Sequence, residues 1–380
     1  MKPLFFFLSL LFLFLTGCAT NPVTGKSELQ LVSEEQEIAM GTKQYPYQIQ
    51  LAGGEYLLDP DLSAYVREIG LKLAEHSDRP HLPYDFTIVN DSSWNAWAMP
   101  GGKIAIHRGL LEALRSESEL AAVLAHEIVH AAARHSAQQI ERNMWMQAGV
   151  AGLTLAVEAD LQDVVYQTGS LAAGITQLSY SRGAESEADY HGIHYMLQAG
   201  YDGSGAVTLQ EMFAENQDSS GGWLASHPTS IERVRRNRES LQGQKQDGYQ
   251  GAAEYRVHTR ALTERAPAYE LYDQGVKALT EDRAREALRL SMLARKELPQ
   301  EALFYGLSAQ SYEKLNNPDA ALQAWDQAIQ RNSEWFLFWL KRAQIHEKRG
   351  NKTKAAADYR RSFDLLPTET AKTGFQRNFQ

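Results

Sequence analysis

Apolar positions change their period several times along the chain, and each change marks an element. Residues 3–15 are almost wholly apolar behind the single charge of Lys2, and a polar stretch from Ala19 to about Ser27 follows. Helical spacing predicts helices over residues 33–43 and 61–77. Residues 84–90 alternate, with Phe86 and Ile88 between polar neighbours, which predicts a strand. Asn95, Ala96, Trp97, Ala98 and Met99 form a second strand, and residues 103–106 a third. Pro100-Gly101-Gly102 between them is a hairpin turn signal. From Arg108 to about Arg235 the pattern is helical nearly throughout. Residues 241–266 are mostly polar, with Gly243, Gly248 and Gly251, and read as a boundary.

The last hundred residues repeat. Ala287, Ala321 and Ala355 lie 34 residues apart, the tetratricopeptide period, and align windows 268–301, 302–335 and 336–369. In that register the small residue of each first helix is Gly275, Ala309 or Ala343. The residue four after each central alanine is Ser291, Trp325 or Tyr359, and Pro299 and Pro367 end helices. Small residues let paired helices approach, and the large ones fill the space between neighbouring repeats. Such arrays bind proteins or peptides.

Composition narrows the class. The chain has 380 residues, 43% of them hydrophobic and 22% charged, enough for two or three domains. A net charge of −9 argues against nucleic acid as a partner. Cys18 is the single cysteine, so no intramolecular disulfide forms. Lys2, the apolar run and Thr16-Gly17 have the layout of a secretory signal, and the run is shorter than the roughly 20 residues a spanning helix needs. Leu15-Thr16-Gly17-Cys18 resembles the lipobox of bacterial lipoproteins. That resemblance implies a cleaved leader over 1–17, lipidation of Cys18 and a lipidated tether over 18–27. With Ala19 next, it further implies the periplasmic face of the outer membrane.

The chemistry centres on His126-Glu127-Ile128-Val129-His130. Ser116 and Glu119 form a capping-box pattern that starts a helix. His126 and His130, four residues apart, project from one face and can meet a single tetrahedral zinc ion. Glu127 between them is placed to take a proton from zinc-bound water and pass it to a leaving amine. A second helical stretch carries Glu185, Asp189 and Gly192 on one face. Glu185 can complete two histidines and a carboxylate, and Asp189 can fix the tautomer of a ligand imidazole. Gly192 allows close approach of the two helices. His135, nine residues beyond His126, falls on the opposite side of a continuous helix and is expected to serve only the helix end. The remaining histidines apart from His227 receive no role.

The zinc motif together with Ser181-Arg182, Glu185 and Ala188-Asp189 resembles the metallopeptidase family of the CAAX prenyl protease, the heat-shock protease HtpX and the periplasmic barrel-assembly-enhancing protease. Asn95-Ala96, Pro100-Gly101-Gly102 and Ile104 resemble the family's hairpin, and His227-Pro228-Thr229-Ser230 with Arg233 its late motif. The resemblance spans roughly residues 28–240 and selects Glu185 over Glu187 as third ligand. It brings His227 near the metal, as an occluding fourth ligand at rest or as an oxyanion stabiliser. HtpX and the prenyl proteases have several membrane helices, whereas the longest later apolar run here, residues 144–157, is too short to span. That run is expected beside or over the site.

The resulting expectation is a mainly α protein with a small β-sheet. A zincin-like metalloprotease domain over 28–240 is followed by a linker over 241–267 and a tetratricopeptide solenoid over 268–369. It binds one Zn2+ per chain and cleaves misfolded or stalled envelope proteins held as extended strands, with strand 95–99 as a pairing edge. The repeats grip envelope clients, outer-membrane barrels or their assembly machinery among them. The competing reading is a lipid-anchored chaperone or scaffold with a silent or structural zinc site.

Overall fold

The structure is a computed structural model that describes residues 18–151, 180–216, 222–223, 227, 231–244 and 247–379. The expected leader over 1–17 lies outside these residues, and so do Pro228-Thr229-Ser230 and the end of the 144–157 run. The chain divides into two compact units.

Within the described residues the first unit takes in 18–48, 61–88 and 93–258. It opens with β1 (Cys18–Thr20) and β2 (Ser27–Leu29), an antiparallel hairpin. The stretch expected as a free tether is therefore ordered. Asn21 Nδ2 donates to Ala133 O at 3.1 Å, and Asn21 Oδ1 accepts from Val23 N at 2.9 Å, which folds the turn back on itself. Helices α1 (Glu34–Leu51) and α2 (Pro60–Ala74) follow, the first running beyond the expected stop at Lys43. Next come β3 (Asp85–Val89), β4 (Ala96–Met99) and β5 (Lys103–His107), in the sheet order β3-β5-β4. Ala96 pairs with Ile106 and Met99 with Lys103, antiparallel. This register buries all four residues of β4.

After α3 (Arg108–Ala113), Ser116 caps α4 (Glu117–Ala132), with Glu119 N donating to Ser116 Oγ at 3.1 Å. Glu119 closes the start of the helix at Arg115 N, 2.7 Å away. Every residue of α4 is buried, because the sheet and four later helices pack around it. The unit continues through α5 (His135–Ala151), α6 (Arg182–Gln198), α7 (Ser204–Glu215), α8 (Ile231–Ser240) and α9 (Ala252–His258). Tyr255 of α9 is buried and donates to Leu111 O. Residues 252–258 and 260–267 of the expected linker are thus helical, and Leu241, Tyr255 and Leu262 are buried. Gly192 of α6 faces α4, where a Cβ would sit 3.3 Å from His126 N, so the close approach read from the sequence is present.

The second unit holds 49–60, 89–92 and 259–379 of the described residues. Three helix pairs run in order: α10 (Arg260–Thr280) with α11 (Ala284–Glu297), α12 (Ala302–Lys314) with α13 (Pro318–Arg331), and α14 (Phe336–Lys348) with α15 (Lys352–Leu365). Ala287, Ala321 and Ala355 are fully buried, as the 34-residue register requires. The first helix begins upstream of the expected 268, since Pro267 is accommodated inside it. A closing helix α16 (Glu369–Phe379) packs on α15 past the expected end. Trp325 Nε1 donates to Glu313 at 2.9 Å, and Tyr359 OH to Glu347 at 2.6 Å. The same polar contact therefore recurs one repeat later. Among the described residues no helix is long and apolar enough to cross a membrane.

Glu347 also accepts from Arg377 Nε at 3.0 Å and Asn378 Nδ2 at 2.8 Å, both on α16. The Arg377 hydrogen bond, joined by those of Tyr359 and Asn378, outweighs partial burial and lowers its carboxyl to about 2. A depressed carboxyl stabilises the fold above its unfolded value and loses that contribution as pH falls through the folded value. Hydrogen-exchange protection of α16, corrected for intrinsic rates, should therefore decline between pH 4.5 and about 2. Glu347→Gln should lower that protection at neutral pH and flatten the dependence.

Candidate metal centre

His126 and His130 lie one turn apart on the side of α4 that meets α6, and Glu185 comes from the first turn of α6. His227 enters from the segment after α7, and its backbone N donates to Trp223 O at 2.7 Å. Trp223 N in turn donates to Trp94 O at 2.8 Å, while the Trp223 ring stacks on His227 with centroids 4.3 Å apart. That pairing seats the His227 side chain, which is wholly buried.

Four donor atoms converge. His126 Nε2 lies 3.1 Å from His130 Nε2 and 3.3 Å from His227 Nδ1. Glu185 Oε1 lies 2.9 Å from His227 Nδ1 and 3.5 Å from His130 Nε2. Tetrahedral zinc with bonds of about 2.0–2.1 Å sets its ligand atoms roughly 3.3–3.4 Å apart. The observed separations scatter around that edge, and all four residues are buried. Imidazole nitrogens at such distances repel when each presents a lone pair, so the donor set fits a cation at its centre.

The surrounding groups fix each donor. His126 Nδ1 lies 3.2 Å from Asp189 Oδ1, which holds the ring with Nε2 toward the other ligands. Arg233 grips Asp189 in a fork, with Nε and an Nη each donating at 2.7 Å, and its other Nη lies 2.8 Å from Glu185 Oε2. Burial opposes ionisation of Glu185. Even so, His227 and the hydrogen bonds of His126, His130 and His227 hold its carboxyl well below the usual range. Burial likewise opposes the charged form of Asp189, and Arg233 more than offsets it. Glu127 differs. Burial raises its carboxyl, with His227 and His126 only partly opposing. His227 Nε2 lies 3.4 Å from its Oε1, and neither carboxylate oxygen has a hydrogen-bond partner among the described residues.

Of the residues expected at the site, His126, Glu127, His130, Glu185, Asp189 and His227 come together here. The Asn95–Met99 strand corresponds to β4, at an edge of the three-stranded sheet, but Ala98 O already accepts from Ser136 Oγ at 3.2 Å. Cys18 begins β1. His135 requires correction. The α4 helix stops at Ala132, and Arg134 takes a left-handed backbone with φ 64°, so His135 turns back rather than continuing the helix. Its Nδ1 lies 2.8 Å from His130 Nδ1. Arg233 was visible only as one letter of a motif. Tyr180, stacked on His130 at 3.9 Å, gave no sequence signal, and neither did Trp223.

Residues 60–240 match the model of Peptidase family M48. The beta-barrel assembly-enhancing protease of Escherichia coli K12 is 32% identical over 207 residues, covering 52% of this chain and 42% of that protein. The putative beta-barrel assembly-enhancing protease of Vibrio cholerae is 33% identical over 190 residues, covering 48% and 39%. Mitochondrial metalloendopeptidase OMA1 of Arabidopsis thaliana is 34% identical over 168 residues, covering 42% and 32%. The chain thus spans less than half the length of each of these relatives.

Proposed function

We propose that the Peptidase family M48 domain of this chain is a zinc-dependent endopeptidase, held closed at rest by His227 and directed at proteins of the bacterial envelope. The observation that carries the reading is the convergence of His126, His130, Glu185 and His227 on one point, with the buried carboxylate of Glu127 beside it, free of hydrogen bonds among the described residues. Zinc bound there would supply a Lewis acid that brings the pKa of a water molecule down toward neutrality.

The chain's own residues do the rest. Glu127 takes a proton and delivers it to the leaving amine. Asp189 and Arg233 hold His126 and Glu185 in their binding orientations. His227 supplies the fourth donor and also lies against Glu127, so its withdrawal frees both the coordination position and the base. β4, at an edge of its sheet, is the strand along which an extended substrate pairs once Ser136 releases Ala98 O. The relatives named for beta-barrel assembly support an envelope client, gripped a second time by the helix pairs of the repeats. The lipobox at Cys18 supports anchoring on the periplasmic side of a membrane.

The test is cleavage of an unfolded protein such as casein. A chelator should abolish it and added zinc restore it. His227→Ala should keep zinc on three ligands and raise the basal rate several-fold. The closed donor set also favours a second reading, a lipid-anchored scaffold with a silent zinc site. That reading prevails if zinc-loaded wild type and His227→Ala both bind envelope proteins and neither cleaves.

A further inference from the structure

We propose that His135 is a positioning residue for the ligand His130, and that Glu187 in turn orients His135; the inference rests on the zinc-ligand assignment above. His130 Nε2 faces the other donors, so for metal binding its proton must reside on Nδ1. That Nδ1 lies 2.8 Å from Nδ1 of His135, and only one of the two nitrogens can carry the hydrogen. His130 therefore donates and His135 accepts, which places the His135 proton on Nε2. This Nε2 lies 3.2 Å from Glu187 Oε2, an acceptor with no proton of its own when ionised. One direction of donation satisfies every atom in the row, and turning either ring over breaks it. His130 is thereby held as His126 is held by Asp189. The two supports differ only in that an imidazole stands between ligand and carboxylate.

The backbone is built to place that imidazole. A non-glycine residue with φ of 64° is strained and persists where its surroundings fix it. Arg134 is fixed: its guanidinium is buried, donates to Glu37 and to Val32 O at 2.6 Å, and lies 3.4 Å from Glu141. His135 itself is buried, with its ring edge-on to His130 at 4.9 Å between centroids. The helix α6 thus contributes three carboxylates: Glu185 to the donor set, Asp189 behind His126, and Glu187 behind His135.

The experiment measures the zinc dissociation constant of the full chain by competition with a chelator. His135→Leu should weaken binding about 10–100-fold, the usual cost of losing such a support. His135→Asn, whose Oδ1 can accept from His130 in place of the lost ring nitrogen, should recover most of that loss. Glu187→Ala, at a partly exposed position where folding is not at risk, should weaken zinc several-fold. Unfolding temperatures of the metal-free forms check that the His135 variants fold. Zinc affinity within twofold of wild type for both His135→Leu and Glu187→Ala overturns the inference. Equal loss in the Leu and Asn variants also overturns it, by making His135 a packing residue. A wild-type chain that binds no zinc overturns the ligand set instead, a result separable from both.

Discussion

Glu127→Gln is expected to lower cleavage of an unfolded protein by about 10²–10⁴-fold while leaving zinc bound and the fold intact. The substitution keeps the shape of the side chain and removes only its ability to take up and return a proton. Glu127 is fully buried, and neither oxygen has a hydrogen-bond partner among the described residues, so the amide breaks no bond there. Burying a carboxylate that accepts no hydrogen bond from the described residues is itself unfavourable, so the variant should unfold at the same temperature as wild type or higher. Single-turnover rates, zinc content and thermal unfolding measured on one preparation decide the matter. Cleavage at the wild-type rate would remove Glu127 from the mechanism.

Arg233→Met should be the most damaging single change for stability. Arg233 is buried and serves two buried carboxylates, Glu185 and Asp189. Removing one partner from a buried ionic group costs about 3–5 kcal/mol, because the remaining charge keeps its desolvation penalty without compensation. For a unit of this size that corresponds to a fall in unfolding temperature of roughly 6–20 °C. The deficit should be largest in chelator and shrink with zinc, since the ion replaces the guanidinium as counter-charge for Glu185. Arg233→Lys should fall between, restoring charge without the two-pronged grip on Asp189. An Arg233→Met chain that unfolds within two or three degrees of wild type in chelator would refute this account.

Local rules made much of this protein legible. A four-residue spacing places two side chains on one helical face in any α-helix, so His126 and His130 followed from the sequence, as did the Ser116 cap. The 34-residue recurrence of Ala287, Ala321 and Ala355 foretold the helix pairs, because each alanine marks the same contact one repeat later. The boundaries were less legible. The polar stretch at 18–27 and the glycine-rich one at 241–267 look free in sequence. They are ordered by distant contacts, among them Asn21 with Ala133 O, Lys26 with Glu187, Tyr255 with Leu111 O and Gln250 with Asp202.

By itself the sequence determined the ingredients of the metal centre: two imidazoles and a glutamate between them on one helix, with carboxylates at helical spacing on another. Its likeness to known proteases pointed to Glu185 among those carboxylates and to a place for His227. Only the tertiary structure decided that His227 lies beside His126, Glu185 and Glu127, that Arg233 holds the two carboxylates together, and that His135 returns to His130. The reason is one of range. Helical periodicity fixes directions over a few residues, whereas His227 is 101 residues from His126 and Arg233 is 44 from Asp189. His135 lies close in sequence, but one left-handed residue, Arg134, reverses the direction that periodicity would assign to it.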